Sequence, residues 1–253
     1  MPLLKRLTWF LVFATVAGIA AVIAFVPNPG RAAVAVLAAG SFGWFVMARI
    51  AHSRYTAVLK QAAGELGLAC LTSGAEERGS AILERMRVTS EADVFRWKVD
   101  GRLPAIVGEY EGFAVTVRVP VGVAFDAGAP DSTRIVAYHN VKMTGFTIYD
   151  RSKVRKPPAG RQVLLDEPEF DRRFLVLAHR PDEALAVLSP EVRAALLESG
   201  GTGFRGIEVN RYGVFLHEEG KVSSAELVKE RLDLVVRLAK AARELGGLRG
   251  AGS

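Results

Sequence analysis

Residues 105–121 read AIVGEYEGFAVTVRVPV, two runs rich in β-forming side chains on either side of Glu111-Gly112. In the second run, Val115, Val117 and Val119 alternate with polar residues, a period of two that is typical of a half-exposed strand. An acidic residue followed by glycine between two such runs indicates a tight hairpin. The stretch therefore predicts antiparallel strands at 105–110 and 113–121.

Further strands are predicted on the C-terminal side of this hairpin. β-rich segments cover 133–149, with a break near Asn140, and 174–178. The segments 205–209 and 214–217 flank a second turn, in which Gly213 is expected to adopt a positive φ. These segments supply the strands of a mainly antiparallel sheet.

Helices are predicted on both sides of the strands. Apolar residues at helical spacing indicate helices at 50–68, at 182–198 with an interruption at Ser189-Pro190, and from Ser223 to at least Leu245. Ser223 and Glu226 have the spacing of a capping box. Strand hairpins bracketed by helices favour one α+β domain, with a mainly antiparallel sheet and packed helices, over a doubly wound parallel sheet.

The first fifth of the chain has a different composition. Residues 8–26 and 32–48 carry no charged side chain, and Pro27-Asn28-Pro29-Gly30 separates them. At 1.5 Å per residue the first run spans roughly the 30 Å of a hydrocarbon core. The sequence therefore predicts a transmembrane helical hairpin over 1–50, with helices at about 8–26 and 32–50. An α+β domain is expected at 51–248, followed by a flexible tail at 249–253.

Charge predicts the orientation of this hairpin. Lys5, Arg6, Arg31 and Arg49 supply four of the six net positive charges, next to apolar segments. Positive charge favours the cytoplasmic side, which predicts a multi-pass protein of the inner (plasma) membrane with both termini cytoplasmic. The lipid bilayer is then a partner, and nucleic acid is not expected. The alternative is that one run is a buried helix or a signal peptide.

Small residues recur at four-residue spacing in both apolar runs, which favours close helix packing. The simplest interpretation is packing within the hairpin, and a homodimer is the alternative. The positions are Ala14, Gly18, Ala35, Ala39 and Gly43.

A basic segment next to two prolines predicts an exposed connection that contacts anionic lipid headgroups. A solvated loop is the alternative. The basic residues are Arg151, Lys153, Arg155, Lys156 and Arg161.

The remaining motifs identify no catalytic, cofactor-binding or metal-binding residue. GTGFRG at 201–206 has glycines spaced as in a dinucleotide-binding turn, but it follows a predicted helix and enters a strand, the reverse of that motif. The acidic cluster Asp166, Glu167, Glu169 and Asp171 lacks the spacing of a calcium loop, so a solvated turn is favoured over a cation site. No cofactor is expected.

Three short motifs carry a resemblance to known proteins: GEYEG at 108–112, FDRRFLV at 170–176 and LSPE at 188–191. With them the chain resembles uncharacterised bacterial membrane proteins in which a two-helix hairpin precedes a cytoplasmic α+β domain of unknown function. The resemblance implies a membrane-tethered module and transfers no catalytic residue.

These observations predict a membrane-anchored, non-enzymatic module that binds a partner protein or senses a ligand at the cytoplasmic face. One alternative is a membrane-tethered hydrolase or nucleotide-dependent enzyme whose site is assembled from residues distant in sequence. Another is an accessory subunit of a transport or envelope complex.

Overall fold

The computed structural model describes residues 29–72, 104–118, 132–154, 160–199 and 204–250. The chain divides into two compact units, Met1–Ala57 and Val58–Ser253. The helices of the described residues are α1 (Pro29–Leu66), α2 (Pro168–Arg173), α3 (Pro181–Val187), α4 (Pro190–Glu198) and α5 (Ala225–Gly250). The strands are β1 (Ala69–Leu71), β2 (Ala105–Tyr110), β3 (Phe113–Arg118), β4 (Ser132–Tyr138), β5 (Phe146–Asp150), β6 (Gln162–Val163), β7 (Phe174–Ala178), β8 (Phe204–Val209) and β9 (Gly213–Glu219).

The hairpin predicted at Glu111-Gly112 joins β2 to β3. The φ angles of these two residues are 49° and 79°. Positive φ at both central residues is what a two-residue hairpin turn requires, because it matches the twist of the flanking strands. The strands pair in antiparallel register, with Tyr110 opposite Phe113 and Ala105 opposite Arg118.

The strands of the described residues form one antiparallel sheet, in the order β1-β2-β3-β4-β9-β8-β5-β7-β6. The hairpin of β8 and β9 lies between β4 and β5, although it is the last pair of strands in the sequence. The predicted break near Asn140 is present: β4 ends at Tyr138, Asn140 has a φ of 52°, and β5 begins at Phe146.

The glycine at the β8–β9 turn is required for a different reason from the one predicted. Gly213 is not among the described residues with positive φ. A Cβ atom at this position would instead lie 2.4 Å from the carbonyl oxygen of Ala137 on β4. Close approach of two strands, rather than turn geometry, therefore excludes a side chain here.

Helices cover one face of the sheet. Side chains alternate between the faces of a strand, and in β5 Phe146 and Ile148 are buried whereas Thr147 and Tyr149 are only half-buried. Phe174 of β7 lies on the covered face, where its ring is 4.9 Å from that of Phe170 in α2. The core on this face includes Ile106, Val115, Val117, Ile135, Leu216, Ile207 and Val176.

Polar contacts fasten α5 to this face. The Tyr110 hydroxyl donates to Asp233 Oδ1 at 2.6 Å, and burial together with this bond raises the pKa of Tyr110. Lys240 lies 2.7 Å from the carboxylate of Glu111 at the hairpin turn. The helix is capped by Ser224, whose Oγ accepts from the backbone N–H of Leu227 at 3.1 Å. The cap is therefore one residue after the predicted Ser223.

The other face differs between the two ends of the sheet. On β1–β4 and β9 it carries a second buried cluster, Leu71, Ala105, Val107, Ala114, Val136, Tyr138 and Phe215. On β5, β7 and β8 its side chains are accessible, as Thr147, Tyr149 and Glu208 show. A single sheet thus supplies both a core and an exposed surface.

The predicted transmembrane hairpin is wrong, and the fold prediction that includes it is wrong in that respect. Within the described ranges, no helix has the length and apolar character needed to cross a membrane. The second predicted span is part of α1, where the uncharged run 32–48 rises about 26 Å, short of the roughly 30 Å of a hydrocarbon core. The first predicted span, 8–26, lies outside the described residues. The multi-pass inner-membrane location inferred from the two spans is wrong for the same reason.

Candidate functional site

A groove lies on the accessible face of the sheet, over β5 and between β7 and β8. Its volume is about 220 Å³. Thr147 pairs with Leu177 of β7 on one side and with Glu208 of β8 on the other, so these three side chains form one row. The side chains of Tyr149 and Asn210 also line the groove. We call Thr147, Tyr149, Leu177, Glu208 and Asn210 the sheet groove.

Glu183 fixes one rim of the sheet groove. Its side chain is buried in the first turn of α3, and its Oε2 accepts from the backbone N–H of Thr144 at 2.8 Å and of Gly145 at 3.1 Å. Arg180 Nη1 lies 3.7 Å from its other oxygen. Charge-assisted hydrogen bonds of this kind are stronger than neutral ones. The carboxylate therefore fixes residues 144 and 145, which lead into β5, to the first turn of α3.

Gly145 allows this rim to approach β8. Its φ is 93°, and a Cβ atom would lie 2.5 Å from the carbonyl oxygen of Val209. Any side chain at 145 would push the two segments apart and open the end of the groove. Glycine is therefore required by both conformation and space.

The ring of Tyr149 is positioned by a glycine on the neighbouring strand. Gly206 pairs with Tyr149, and a Cβ atom at 206 would lie 3.1 Å from ring atom Cδ1. The ring thus fills the space that a side chain at 206 would occupy. This contact fixes the Tyr149 ring, which forms the aromatic side of the sheet groove.

Glu208 and Asn210 form the polar end of the groove. Asn210 Nδ2 donates to Glu208 Oε1 at 2.7 Å, and Asn210 Oδ1 accepts from the backbone N–H of Tyr212 at 2.9 Å. The backbone of the turn thereby fixes the orientation of the Asn210 side-chain amide. This amide in turn fixes the orientation of the Glu208 carboxylate. The geometry of this polar end is set before any ligand binds.

A β-bulge at the start of β8 directs Arg205 onto the same accessible face. Phe204 pairs with Glu218 and Gly206 with His217, so Arg205 is the additional residue. If side chains alternated regularly along β8 from the buried Ile207, Arg205 would face the helices and Phe204 would lie on the accessible face. The bulge reverses both: Phe204 is fully buried and Arg205 is exposed. Bulges are often found where a functional side chain is re-aimed.

The bulge places Arg205 opposite His217. His217 of β9 pairs with Arg134 of β4, on the same face as Tyr149. The pKa of His217 is lowered to about 4, mainly by burial and also by the charges of Arg134 and Arg205, whereas the charge of Glu208 acts in the opposite direction. The imidazole is therefore neutral at pH 7. We call Arg134, Arg205 and His217 the bulge cluster.

A second buried imidazole lies in the β4–β5 connection. His139 Nδ1 accepts from the backbone N–H of Val141 at 3.1 Å, which places the ring proton on Nε2. Burial, and then the charge of Arg243, lowers the pKa of His139 to about 4. The neutral ring shapes the connection that ends at Thr144 and Gly145, at the rim of the sheet groove.

The predicted basic segment only partly falls within the described residues. Arg151, Lys153 and Arg161 are exposed, and Arg151 Nε donates to the carbonyl oxygens of Asp171 and Phe174 at 2.9 and 3.1 Å. Arg155 and Lys156 lie outside the described residues. Contact of this segment with anionic lipid stays a prediction.

The acidic cluster stabilises a turn. Asp171 accepts from the backbone N–H groups of Leu165 and Glu167, and Glu167 pairs with Arg193 at 2.6 Å. In the part of the chain that the structure describes, no group of three or more His, Cys, Asp or Glu residues is placed to hold a metal ion. The carboxylates of Asp171 and Glu167 are therefore engaged in protein contacts.

Two other sequence predictions concern segments that are partly described. Of the small-residue positions, Ala35, Ala39 and Gly43 belong to α1, while Ala14 and Gly18 lie outside the described residues. Their close packing and the homodimer stay predictions. At the glycine-rich motif, α4 ends at Glu198 and β8 begins at Phe204. This order of helix before strand is the reverse of a dinucleotide-binding turn.

Sequence reasoning did not identify the sheet groove or the bulge cluster. Their residues come from five strands and the β8–β9 turn, and the register of those strands decides which side chains meet. One signal was available: an isolated glycine inside a strand pattern indicates a bulge or a close contact. Gly206 within the predicted strand 205–209 is such a glycine.

Comparison with known proteins establishes no family for this chain. No protein-family model matches the chain, and no curated protein is similar to it. The crystal structure of the mycobacterial trehalose monomycolate transport factor A, TtfA, is similar at 13% identity and a TM-score of 0.48, covering 75% of this chain and 94% of that one. This similarity is too low to establish a shared fold or a shared function.

Proposed function

We propose that this chain is a non-enzymatic binding module that holds a segment of a protein partner in the sheet groove. The observation that carries the proposal is the accessible face of β5, β7 and β8, where an aromatic ring and a leucine border a row of polar side chains. Aromatic residues with a few oriented polar groups are characteristic of the centres of protein interfaces. The partner's chain would lie across the strands and bury Tyr149 and Leu177.

The size and shape of the groove favour a protein partner over a small molecule. Its volume of about 220 Å³ is below the range of roughly 300–1,000 Å³ that is typical of small-molecule pockets. Its floor is a sheet, so it is shallow and open along its length. A side chain presented by a larger surface fits such a site better than a free ligand that must be enclosed.

The groove is preorganised. Glu183 holds its rim through two backbone N–H groups, Gly206 accommodates the Tyr149 ring, and Asn210 orients Glu208. Each contact forms within the domain and needs no ligand. Preorganisation lowers the entropy that is lost on binding, which favours a stable interface. A partner of this kind is compatible with an accessory subunit of a transport or envelope complex.

Site-specific photo-crosslinking tests the proposal. Thr147 is replaced by p-benzoylphenylalanine in the full chain, in the cells that express it naturally, and the control carries the same residue at the exposed Lys229 on α5. We expect a discrete adduct from position 147 that is absent from position 229. The same adducts from both positions, or none from position 147, would contradict the proposed function.

A further inference from the structure

The polar end of the sheet groove carries an acidic side chain that has no cationic partner among the described residues. Glu208 is exposed, and its Oε1 accepts one hydrogen bond, from Asn210 Nδ2. Within the described ranges it forms no ion pair. A carboxylate has two acceptor oxygens, so Oε2 can accept from a ligand. The groove therefore presents a negative charge that the Asn210 contact already orients.

Two basic residues near Glu208 do not neutralise it. His217 is neutral at pH 7, because its pKa is about 4. Arg205 is exposed three residues earlier on β8, and the described ion pairs do not join it to Glu208. No contact between described side chains therefore takes up the charge of this carboxylate.

The Tyr149 ring lies diagonally across from this carboxylate. Thr147 pairs with Glu208 and Tyr149 pairs with Gly206, so Tyr149 and Glu208 are diagonal neighbours on paired strands. The Cβ atoms of such neighbours are roughly 7–8 Å apart. This separation accommodates one planar group that contacts both the ring and the carboxylate.

The other side of the groove is suited to an aliphatic stem. Leu177 is half-buried and lies across Thr147 from Glu208. The Thr147 hydroxyl between them has no hydrogen bond to a described residue. Long basic side chains lay their methylene groups along apolar surface and keep the charged end in polar surroundings. A stem over Leu177 and Thr147 would direct its charged end to Glu208.

We propose that the partner segment places an arginine side chain in the sheet groove, with its guanidinium against the Tyr149 ring and hydrogen-bonded to Glu208. This inference rests on the proposed function. Arginine fits this arrangement better than lysine, because a planar guanidinium stacks on aromatic rings and also presents several donors in one plane. One donor reaches Glu208 Oε2 and another reaches the Thr147 hydroxyl.

The net charge of the chain makes binding of a cation informative. The formal net charge is +6, so general electrostatic attraction favours anions and opposes cations. Binding of an arginine side chain therefore requires a local arrangement that overcomes this repulsion. The sheet groove supplies one through Glu208 and Tyr149.

Single-residue probes test the assignment on the full chain. N-acetylarginine methylamide is titrated into the isotopically labelled protein and followed in NMR spectra through the Thr147 amide and the Tyr149 ring signals. N-acetylcitrulline methylamide is the neutral probe of nearly the same shape, and N-acetyllysine methylamide, with a free side-chain amine, is the cation without a guanidinium. We expect saturable shifts with the arginine probe and binding at least about tenfold weaker with the citrulline probe.

The lysine probe is expected to bind more weakly than the arginine probe and more tightly than the citrulline probe. Equal binding of the arginine and citrulline probes would overturn the proposal, because it would exclude a role for charge. Equal binding of the arginine and lysine probes would overturn the assignment to arginine. The absence of saturable shifts with the arginine probe would also overturn the proposal.

Glu208→Gln tests the carboxylate, because it removes the charge and keeps the size of the side chain. We expect it to weaken binding of the arginine probe about tenfold. The matched control is Glu244→Gln, which removes the same charge from an exposed residue of α5 and should bind within about twofold of the wild type. Equal weakening by both variants would overturn the proposal.

Arg205→Gln gives a test of opposite sign. It removes a like charge from the same face of the sheet, so the arginine probe should bind at least as tightly as it does to the wild type. Weaker binding to this variant would contradict the proposed contact with Glu208.

The arginine contact and the proposed function fail separately. An adduct from position 147 whose yield is unchanged in Glu208→Gln would overturn the arginine contact and leave the groove as the binding surface. The absence of an adduct from position 147 in the chain with Glu208 intact would overturn the proposed function itself, whatever the single-residue probes show.

Discussion

The Nε atom of Arg231 lies 2.8 Å from Oε2 of Glu218, and both side chains are buried between α5 and β9. Arg231 also donates to the carbonyl oxygen of Ser199 at 3.0 Å and pairs with the half-exposed Glu230. We expect Glu218→Leu to lower the free energy of unfolding by about 3–5 kcal/mol, because it takes away a buried guanidinium's main counter-charge. Urea unfolding of the full chain measures this loss.

Glu230 provides the matched control for that prediction. Glu230→Leu removes an exposed partner of the same arginine and should cost about 1 kcal/mol or less. The double variant Glu218→Leu with Arg231→Met should recover part of the loss, because it replaces the pair with apolar groups. Similar losses for Glu218→Leu and Glu230→Leu would refute the importance of the buried pair.

Glu183 is predicted to stabilise the folded domain and to hold the rim of the sheet groove in place. Glu183→Ala leaves the N–H groups of Thr144 and Gly145 without their acceptor, which should cost about 2–4 kcal/mol. Faster hydrogen exchange at these two amides and a weaker adduct from position 147 should accompany the loss. The control Asp182→Asn alters an exposed carboxylate in the same turn and should change stability by less than about 0.5 kcal/mol. Unchanged exchange at Thr144 and Gly145 in Glu183→Ala would contradict the assignment.

Gly206 is predicted to determine the position of the Tyr149 ring. In Gly206→Ala the new Cβ atom would lie 3.0 Å from the carbonyl oxygen of Ile148 and 3.1 Å from the ring, so the ring must move. We expect a loss of about 1–3 kcal/mol and a shift of the Tyr149 ring signals in NMR spectra. Gly64→Ala is the control, because no atom lies within 4 Å of its added Cβ and alanine favours the helix. A Gly206→Ala variant with unmoved Tyr149 signals would contradict the contact.

His217 and His139 are predicted to make stability depend on pH. Each has a folded pKa of about 4, below the unfolded value near 6.5, so the unfolded chain binds protons first as the pH falls. Their stabilising contribution is complete above pH 6.5 and is lost progressively towards pH 4, by up to about 3 kcal/mol per histidine. Free energies of unfolding at pH 7, 6 and 5 test this.

The matched variants for the pH prediction are His217→Gln and His179→Gln. His217→Gln should reduce the loss of stability between pH 7 and pH 5, because it removes one of the two linked protonations. His179 is exposed, and His179→Gln should leave the slope unchanged. A slope that is equal in the wild type and in His217→Gln would argue against a depressed pKa at this site.

Local patterns predicted the strands well because their causes are local. The positive φ of Glu111 and Gly112 follows from the turn itself, and the break near Asn140 follows from a residue that tolerates left-handed backbone. For the second span, the membrane prediction failed because the uncharged run 32–48 is shorter than a hydrocarbon core. In the structure that run is one part of the 38-residue helix α1, which continues into polar sequence.

The candidate site could not be predicted because strand register creates it. Tyr149 and His217 are far apart in sequence and share a row only because β8 lies between β5 and β9. Arg205 reaches that row through a bulge, which shifts the alternation that sequence analysis assumes. Glu183 acts on the groove from the opposite side of the sheet, through backbone groups that carry no sequence signature.

The position of the β8–β9 hairpin also determines when the sheet can be completed during synthesis. Within the described strands, β1–β4 and β5–β7 are joined by hydrogen bonds only through β8 and β9, which are the last strands to leave the ribosome. Until residues 204–219 emerge, β4 and β5 each have an unpaired edge of the kind that promotes aggregation. Nascent chains stopped before Phe204 should therefore depend on chaperones, and those stopped after α5 should not.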